Sequence, residues 1–197
     1  AFEPSGSWVE AGTGGAGALF VEIIGCDGLP NMDRSINPKD KTDAFVTAIF
    51  EDAIISTDVI PDCLCPRWLP WTRRAFKFQI SHPTSPLLLG VHDWDVSTNP
   101  STLHDPIGRV AIMVGNFAPN TEYVLHYKLY DTAIVEPRKE LGTITIRMVV
   151  EWSDTRKLFH DSLAFPNRFH VNVQLQKNLR AAYFLVEGGH HVHNYSL

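Results

Sequence analysis

The sequence predicts an all-β protein, an eight-stranded antiparallel sandwich with an α-rich C-terminal extension. Up to residue 152, apolar and alternating runs of strand length are separated by Gly, Pro, Asn and Asp clusters, at spacings suited to a sandwich or barrel. No helical period appears before residue 153. The composition agrees: of 197 residues 44% are hydrophobic and 20% charged, enough apolar side chains for a sizeable core and too few charges for a disordered chain.

Residues 1–17, with Gly12-Thr13-Gly14-Gly15-Ala16-Gly17, have the composition of a flexible leader. The first strand is Ala18 to Gly25, apolar and β-branched. Gly28-Leu29-Pro30-Asn31 turns the chain into a loop that carries Asp33, Asp40 and Asp43. Ala44 to Phe50 and Ile54 to Ile60 read as the next two strands, and Pro61, Pro66 and Pro70 break the segment after them. Ala75 to Ile80 alternates as a half-buried strand does. Strands follow at Leu87 to His92, Ile107 to Val114, Tyr123 to Tyr130 and Gly142 to Trp152. The predicted sandwich thus spans 18–152. In 153–197, Ser153 caps a short helix from Thr155 to Ala164. Leu175, Leu179, Ala182 and Val186 recur at helical spacing, predicting a second helix over 171–187 that Gly188-Gly189 ends.

A net charge of −5 argues against a nucleic-acid binder that works by bulk charge. Cys26, Cys63 and Cys65 do not make a secreted disulfide framework, which points to a reducing compartment. Neither a spanning apolar run nor a signal peptide is expected. No Ser-His-Asp order, glycine-rich phosphate loop or cysteine nucleophile stands out, so the expectation is a non-enzymatic domain. His190, His191 and His193 follow Gly-Gly at the tail, where no fixed metal geometry is implied.

The chemistry concentrates in Val91-His92-Asp93-Trp94-Asp95 and Asp105-Pro106-Ile107-Gly108. In an extended chain Asp93 and Asp95 share one face and Trp94 takes the other. Two carboxylates on one face are costly unless a proton or cation lies between them. Calcium takes such clustered oxygens readily. The loop of Asp33 and Asp43 leaves neighbouring strands and brings two more acids to the same end. The bland alternative is that aspartates sit in turns to bond their own backbone, and five at converging loop ends weigh against it. Trp68 and Trp94 read as core aromatics, and Cys63 and Cys65 as inert loop residues.

Leu29-Pro30-Asn31-Met32-Asp33 with Thr42-Asp43-Ala44-Phe45-Val46 resembles the first calcium loop of C2 domains. Cys65-Pro66-Arg67-Trp68 before Phe76-Lys77-Phe78 is similar to that family's Asn-Pro-x-Trp segment, and Val91 to Asp95 with Asp105 to Gly108 resembles its third loop. The resemblance covers about residues 18–152. It implies a Greek-key sandwich of the circularly permuted topology, as in extended synaptotagmins and multiple-C2 transmembrane proteins. It implies calcium ligation by Asp33, Asp43, Asp93, Asp95 and Asp105, with the backbone carbonyls of Met32 and Trp94 at neighbouring positions. It departs in two ways: Asp33–Asp43 and Asp95–Asp105 each stand ten residues apart, longer than the family's usual loops, and Ala44 replaces the usual proline. Asp40 is an alternative to Asp33.

The function expected from the resemblance is calcium-dependent docking of a cytoplasmic, peripheral module onto anionic phospholipid membrane, with Ile36 and Leu103 at the loop tips as membrane contacts. The alternative is a calcium-independent protein-interaction or scaffold module, with the extension docking a partner. Ala44 to Phe50 and Ile54 to Ile60 lack Lys and Arg, which predicts little phosphoinositide preference unless Arg73, Arg74 and Lys77 supply a basic patch.

Overall fold

The structure is a computed structural model and describes residues 3–33, 41–95, 104–131 and 140–153. Residues 1–153 and 154–197 separate into two units. The predicted helices of the extension, together with Ile36 and Leu103, lie outside the described residues.

Among the described residues nine strands form in chain order: β1 (Val9–Ala11), β2 (Gly17–Asp27), β3 (Ala44–Phe50), β4 (Ala53–Ser56), β5 (Ala75–Ile80), β6 (Pro86–Trp94), β7 (His104–Met113), β8 (Tyr123–Tyr130) and β9 (Glu140–Trp152). A short 3-10 turn, Val114–Asn116, follows β7. Hydrogen-bonded neighbours run β1-β5-β2-β9-β8-β7-β6-β3-β4. Among the described residues β7 and β8 pair through Arg109 and Tyr130 alone. At that seam the sheet divides into two layers, β1-β5-β2-β9-β8 and β7-β6-β3-β4, closed on one core.

The count of eight strands is corrected to nine. The added strand, β1, lies in the stretch expected as a leader and pairs in parallel with β5, Val9 opposite Phe76 and Ala11 opposite Phe78. Composition could not show this, because long-range contacts hold the segment. Ser5 N–H donates to Glu22 Oε1 at 2.8 Å, Arg74 Nη2 donates to the Glu3 carbonyl at 2.6 Å, and Trp8 packs edge-on against Phe20 at 5.4 Å. The third predicted strand is also shorter, ending at Ser56, where Thr57 Oγ1 takes over the Val46 N–H; a single bridge, Ile60 with Ala44, is left beyond it.

Alternation in the strands sends Val21, Ile23, Phe76, Phe78, Ile144 and Ile146 of one layer against Val46, Leu87, Leu89 and Val91 of the other, all essentially inaccessible. Each such side chain stabilises the fold by about 1.5–3 kcal/mol through apolar burial. Trp68 is buried as predicted, and its indole N–H reaches the Asp58 carbonyl at 2.7 Å. β2 is buried on both faces because the N-terminal segment covers its outer side. There Glu22 lies fully buried between Arg74 and Arg147.

Among the described residues the ladders hold three register shifts; one lies between Lys128 and Tyr130 on β8, and the other two bear on the ends of the sandwich. One, between Ile23 and Gly25 on β2, makes room for the crossing chain at Pro66–Arg67, where a Cβ on Gly25 would stand 2.7 Å from the Pro66 carbonyl oxygen. The other lies between Val91 and His92 on the β6–β7 ladder and sets the register of the acidic end.

Candidate functional site

The loops after β2, β6 and β8 leave from one end of the sandwich, and the β4–β5 connection folds against the first of them. Thr42 closes the base of the β2–β3 loop. It is fully buried; its Oγ1 accepts the Met32 N–H at 2.9 Å and donates to the Pro30 carbonyl at 2.9 Å, while its own N–H reaches Asn31 Oδ1 at 3.2 Å. The two arms that carry Asp33 and Asp43 therefore start together, despite the length of chain between them.

Asp93 occupies the centre. It is 2% exposed, and its Oδ1 accepts the Asp43 N–H at 2.6 Å. The Asp43 carbonyl in turn accepts the Trp94 N–H at 2.9 Å, so Asp43 and the end of β6 are clamped together. Burial pushes the Asp93 carboxyl up to about 6, and Asp33, Asp95 and Asp43 add to the rise against the opposing Asp43 N–H. Asp105 stands opposite Asp93 in the β6–β7 register and is exposed. Asp33, Asp43 and Asp95 are half-buried. The structure thus gathers Asp33, Asp43, Asp93 and Asp95 within electrostatic reach and brings Asp105 alongside by pairing. Met32 sits at the Thr42-closed base.

Asp62 was not singled out by its sequence context. Its N–H donates to Asp43 Oδ1 at 2.8 Å, and its own Oδ1 accepts the Lys41 N–H at 3.2 Å. It takes a left-handed backbone, φ 53, a turn conformation aspartate tolerates. The Pro61-Asp62 pair is a turn signal in the sequence that went unused.

Trp94 is a correction. Expected in the core, it is 45% exposed, because the strand parity that buries Asp93 turns Trp94 to the outer face of its layer. It starts a chain of rings: Trp94 on His104 at 4.4 Å, His104 on Phe45 at 5.1 Å, and Phe45 stacked on His92 at 5.3 Å. Among the described residues the buried His104 Nδ1 meets no hydrogen-bond partner. Burial and the neighbouring His104 hold His92 below the ordinary imidazole value. Cys26 is buried, and its thiol is pushed far up by that burial; Cys63 and Cys65 are free thiols in the β4–β5 connection.

The donor set is all hard oxygen, which suits calcium. Among the described residues, no three acidic, histidine or cysteine side chains are drawn close enough to cage an ion. The donor chemistry fits, and the described side chains stand open rather than closed around a centre.

The fold and site define a β-sandwich with acidic loops clustered at one end. A model of the C2 domain family matches residues 17–129, more than half of the chain, and the chain belongs to that family. Over 119 residues it is 29% identical to "Multiple C2 domain and transmembrane region protein 16" of Arabidopsis thaliana; the match covers 57% of this chain and 11% of that protein, so the chain spans about a tenth of that relative's length. Among solved structures it is similar to a C2 domain, domain A, of plant Extended Synaptotagmin 1, with a TM-score of 0.58 at 20% identity, covering 71% of this chain and 97% of that one. The calcium-bound pair of C2 domains, A and B, of Extended-Synaptotagmin 2 gives 0.54 at 20% identity, covering 70% and 45%. Human GIVD cytosolic phospholipase A2, an enzyme, gives 0.54 at 17% identity over 73% of this chain and 17% of its own. At these identities the structural likenesses establish the fold. Among the described residues no helix is long and apolar enough to cross a membrane.

Proposed function

We propose that the domain docks onto anionic phospholipid membrane when calcium binds at its acidic end. One observation carries the proposal: Asp93, buried, is surrounded by Asp33, Asp43 and Asp95 from two loops, and together with burial they hold its carboxyl near 6. A structure that only needed turn caps would not gather four carboxylates, one of them buried, at one end. Asp33, Asp43, Asp93, Asp95 and Asp105, with the Met32 and Trp94 carbonyls, are the proposed ligands, and Asp62 positions Asp43 from behind. Bound calcium supplies positive charge and coordination sites open to lipid phosphate oxygens. Without it, the acids repel anionic headgroups. Ile36 and Leu103 are the proposed loop-tip contacts, and the proposed setting is a cytoplasmic, peripheral one.

The test is a calorimetric calcium titration, paired with sedimentation of phosphatidylserine vesicles. Calcium is expected to raise the Tm and to drive vesicle binding, and replacing Asp93 and Asp95 together by Asn is expected to abolish both. No heat and no Tm rise at millimolar calcium would refute the proposal. The alternative, a calcium-independent interaction module whose C-terminal extension docks a protein partner, is favoured by the absence of a closed trio of ligands among the described residues. That module is indifferent to calcium.

Lipid choice follows from charge. Arg73 pairs with Asp58, Arg74 is buried against Glu22, and Lys77 pairs with Glu10 at 2.8 Å. The three cations available for a basic patch are thus engaged, which supports equal binding to phosphoinositide and phosphatidylserine vesicles of matched charge.

A further inference from the structure

On the outer face of the β1-β5-β2-β9-β8 layer the chain seats one of its own cations between a ring and a carboxylate. The ladder registers set Glu10 opposite Lys77, Lys77 opposite Phe20 and Phe20 opposite Val149, one row from β1 to β9. In that row the Lys77 ammonium stands 5.8 Å from the centre of the Phe20 ring and 2.8 Å from Glu10 Oε1. Ring quadrupole and carboxylate attract the same ammonium.

The other side of Phe20 lines a cleft of about 290 Å³. Trp8 precedes β1 on the face that carries Glu10, and its ring meets Phe20 edge-on at 5.4 Å, so two rings form one wall. Val149 lies in the floor. Glu151 follows it on the same face of β9, and the β8–β9 ladder, continued one residue past Tyr123 and Met148, brings Glu122 beside it. Both carboxylates are exposed, and among the described residues neither side chain has a hydrogen-bond or ion-pair partner. Arg147 also lines the cleft, held against the buried Glu22. The cleft therefore repeats the surroundings of Lys77, rings beside carboxylates, and among the described residues no cation is paired with those two acids.

We infer that this cleft binds an arginine side chain presented by a basic segment of a partner protein. Charge is complementary, because Glu122 and Glu151 face the cleft while its arginine is already paired with Glu22. Shape agrees as well. A guanidinium is planar, lies against indole and phenyl faces, and offers carboxylates a fork of donors, which matches two rings flanked by two acids. The volume is at the low end for a ligand pocket and suits one long side chain. The cleft shares no residue with the acidic end, so the inference stands independently of calcium-dependent docking.

The experiment uses the whole chain in chelator at physiological salt and a fluorescein-labelled Gly-Arg-Gly-Arg-Gly peptide, read by fluorescence anisotropy. Glu122→Gln/Glu151→Gln changes two exposed positions, is expected to leave the Tm unchanged, and is expected to weaken binding roughly tenfold. Asp93→Asn/Asp95→Asn removes the same charge from the acidic end and is expected to bind within twofold of wild type. Trp8→Ala is expected to weaken binding roughly threefold through the lost ring. The same peptide with citrulline for arginine is expected not to bind. No binding by wild type at millimolar peptide overturns the inference, as does equal loss in the two double variants, which would show attraction by bulk charge alone. A lysine peptide of equal charge that binds as tightly overturns the guanidinium assignment. Displacement of the peptide by phosphatidylcholine vesicles assigns the cleft to a lipid headgroup and overturns the protein partner. A concentration-dependent wild-type dimer that Glu122→Gln/Glu151→Gln abolishes assigns it to a second copy of this chain, with the same consequence.

Discussion

Asp93→Asn separates the two states of the acidic end with one atom exchanged. In the calcium-free protein the Asp93 carboxyl is held up to about 6, against about 3.8 for an ordinary aspartate. At about 1.4 kcal/mol per tenfold change in proton affinity, ionised Asp93 costs the fold about 3 kcal/mol at neutral pH. Because the folded value lies above the unfolded one, the folded protein binds the proton more tightly between about pH 4 and pH 6. Stability therefore falls as pH rises through that window and is level above it. Other carboxylates titrate there too, so the measurement is the difference between variant and wild type. Asn keeps the Oδ1 that accepts the Asp43 N–H and removes the charge. In chelator, urea unfolding is expected to find the variant more stable by about 3 kcal/mol at pH 7.5 and nearly equal to wild type at pH 4, a Tm difference on the order of 10 °C at neutral pH. In saturating calcium the order inverts, since the variant lacks the anion that binding requires. A stability gap that does not change with pH would show that Asp93 is not an unpaired charge in the folded state.

Three further outcomes are expected. Glu22→Ala strands Arg74 and Arg147 beneath the N-terminal segment and costs about 3–5 kcal/mol, read from the urea midpoint; β1 should loosen with it, read by hydrogen exchange at Val9–Ala11. Glu51→Ala removes the acceptor of the Ser81 and His82 N–H groups and the Ser85 hydroxyl at the β5–β6 turn, costing about 2 kcal/mol in the same assay. A chain ending at Ser153 is expected to fold with a cooperative thermal transition, because β9 completes the sheet at Trp152; a non-cooperative melt would place part of 154–197 in the core.

Strand parity made much of the fold legible. The alternation in Ala75–Ile80 and in the middle of Glu140–Trp152 is the burial pattern itself, and Asp93 inward with Trp94 outward follows from the same period. Reading Trp94 as core took the face opposite Asp93 for the interior, whereas it is Asp93 that is buried. Val9–Ala11 was illegible because its partners are 67 residues away in β5, and a glycine-rich flank hides three residues of strand. The aspartates were visible as charges at strand ends. Thr42 and Asp62 were not, since they act through backbone hydrogen bonds that depend on which loops meet. Glu22 looked like an ordinary alternating polar residue, and its burial depends on a segment arriving from the other end of the sequence.

The bulge on the β6–β7 ladder joins these threads. Val91 pairs with Gly108 and His92 with Pro106, so Ile107 is the extra residue, and its side chain is buried in the core. Without it, simple antiparallel pairing would set Pro106 opposite Asp93 and Asp105 opposite Trp94. Asp105 would then share the apolar outer face with Trp94, and Asp93 would lose its cross-strand acid. With it, Asp105 comes opposite Asp93 and His104 opposite Trp94. One residue therefore sorts the end of the hairpin into carboxylates on the side between the layers and rings on the outside. The acidic end and the ring cluster outside it are products of a single register, and a change at Ile107 that shifted that register would alter both together.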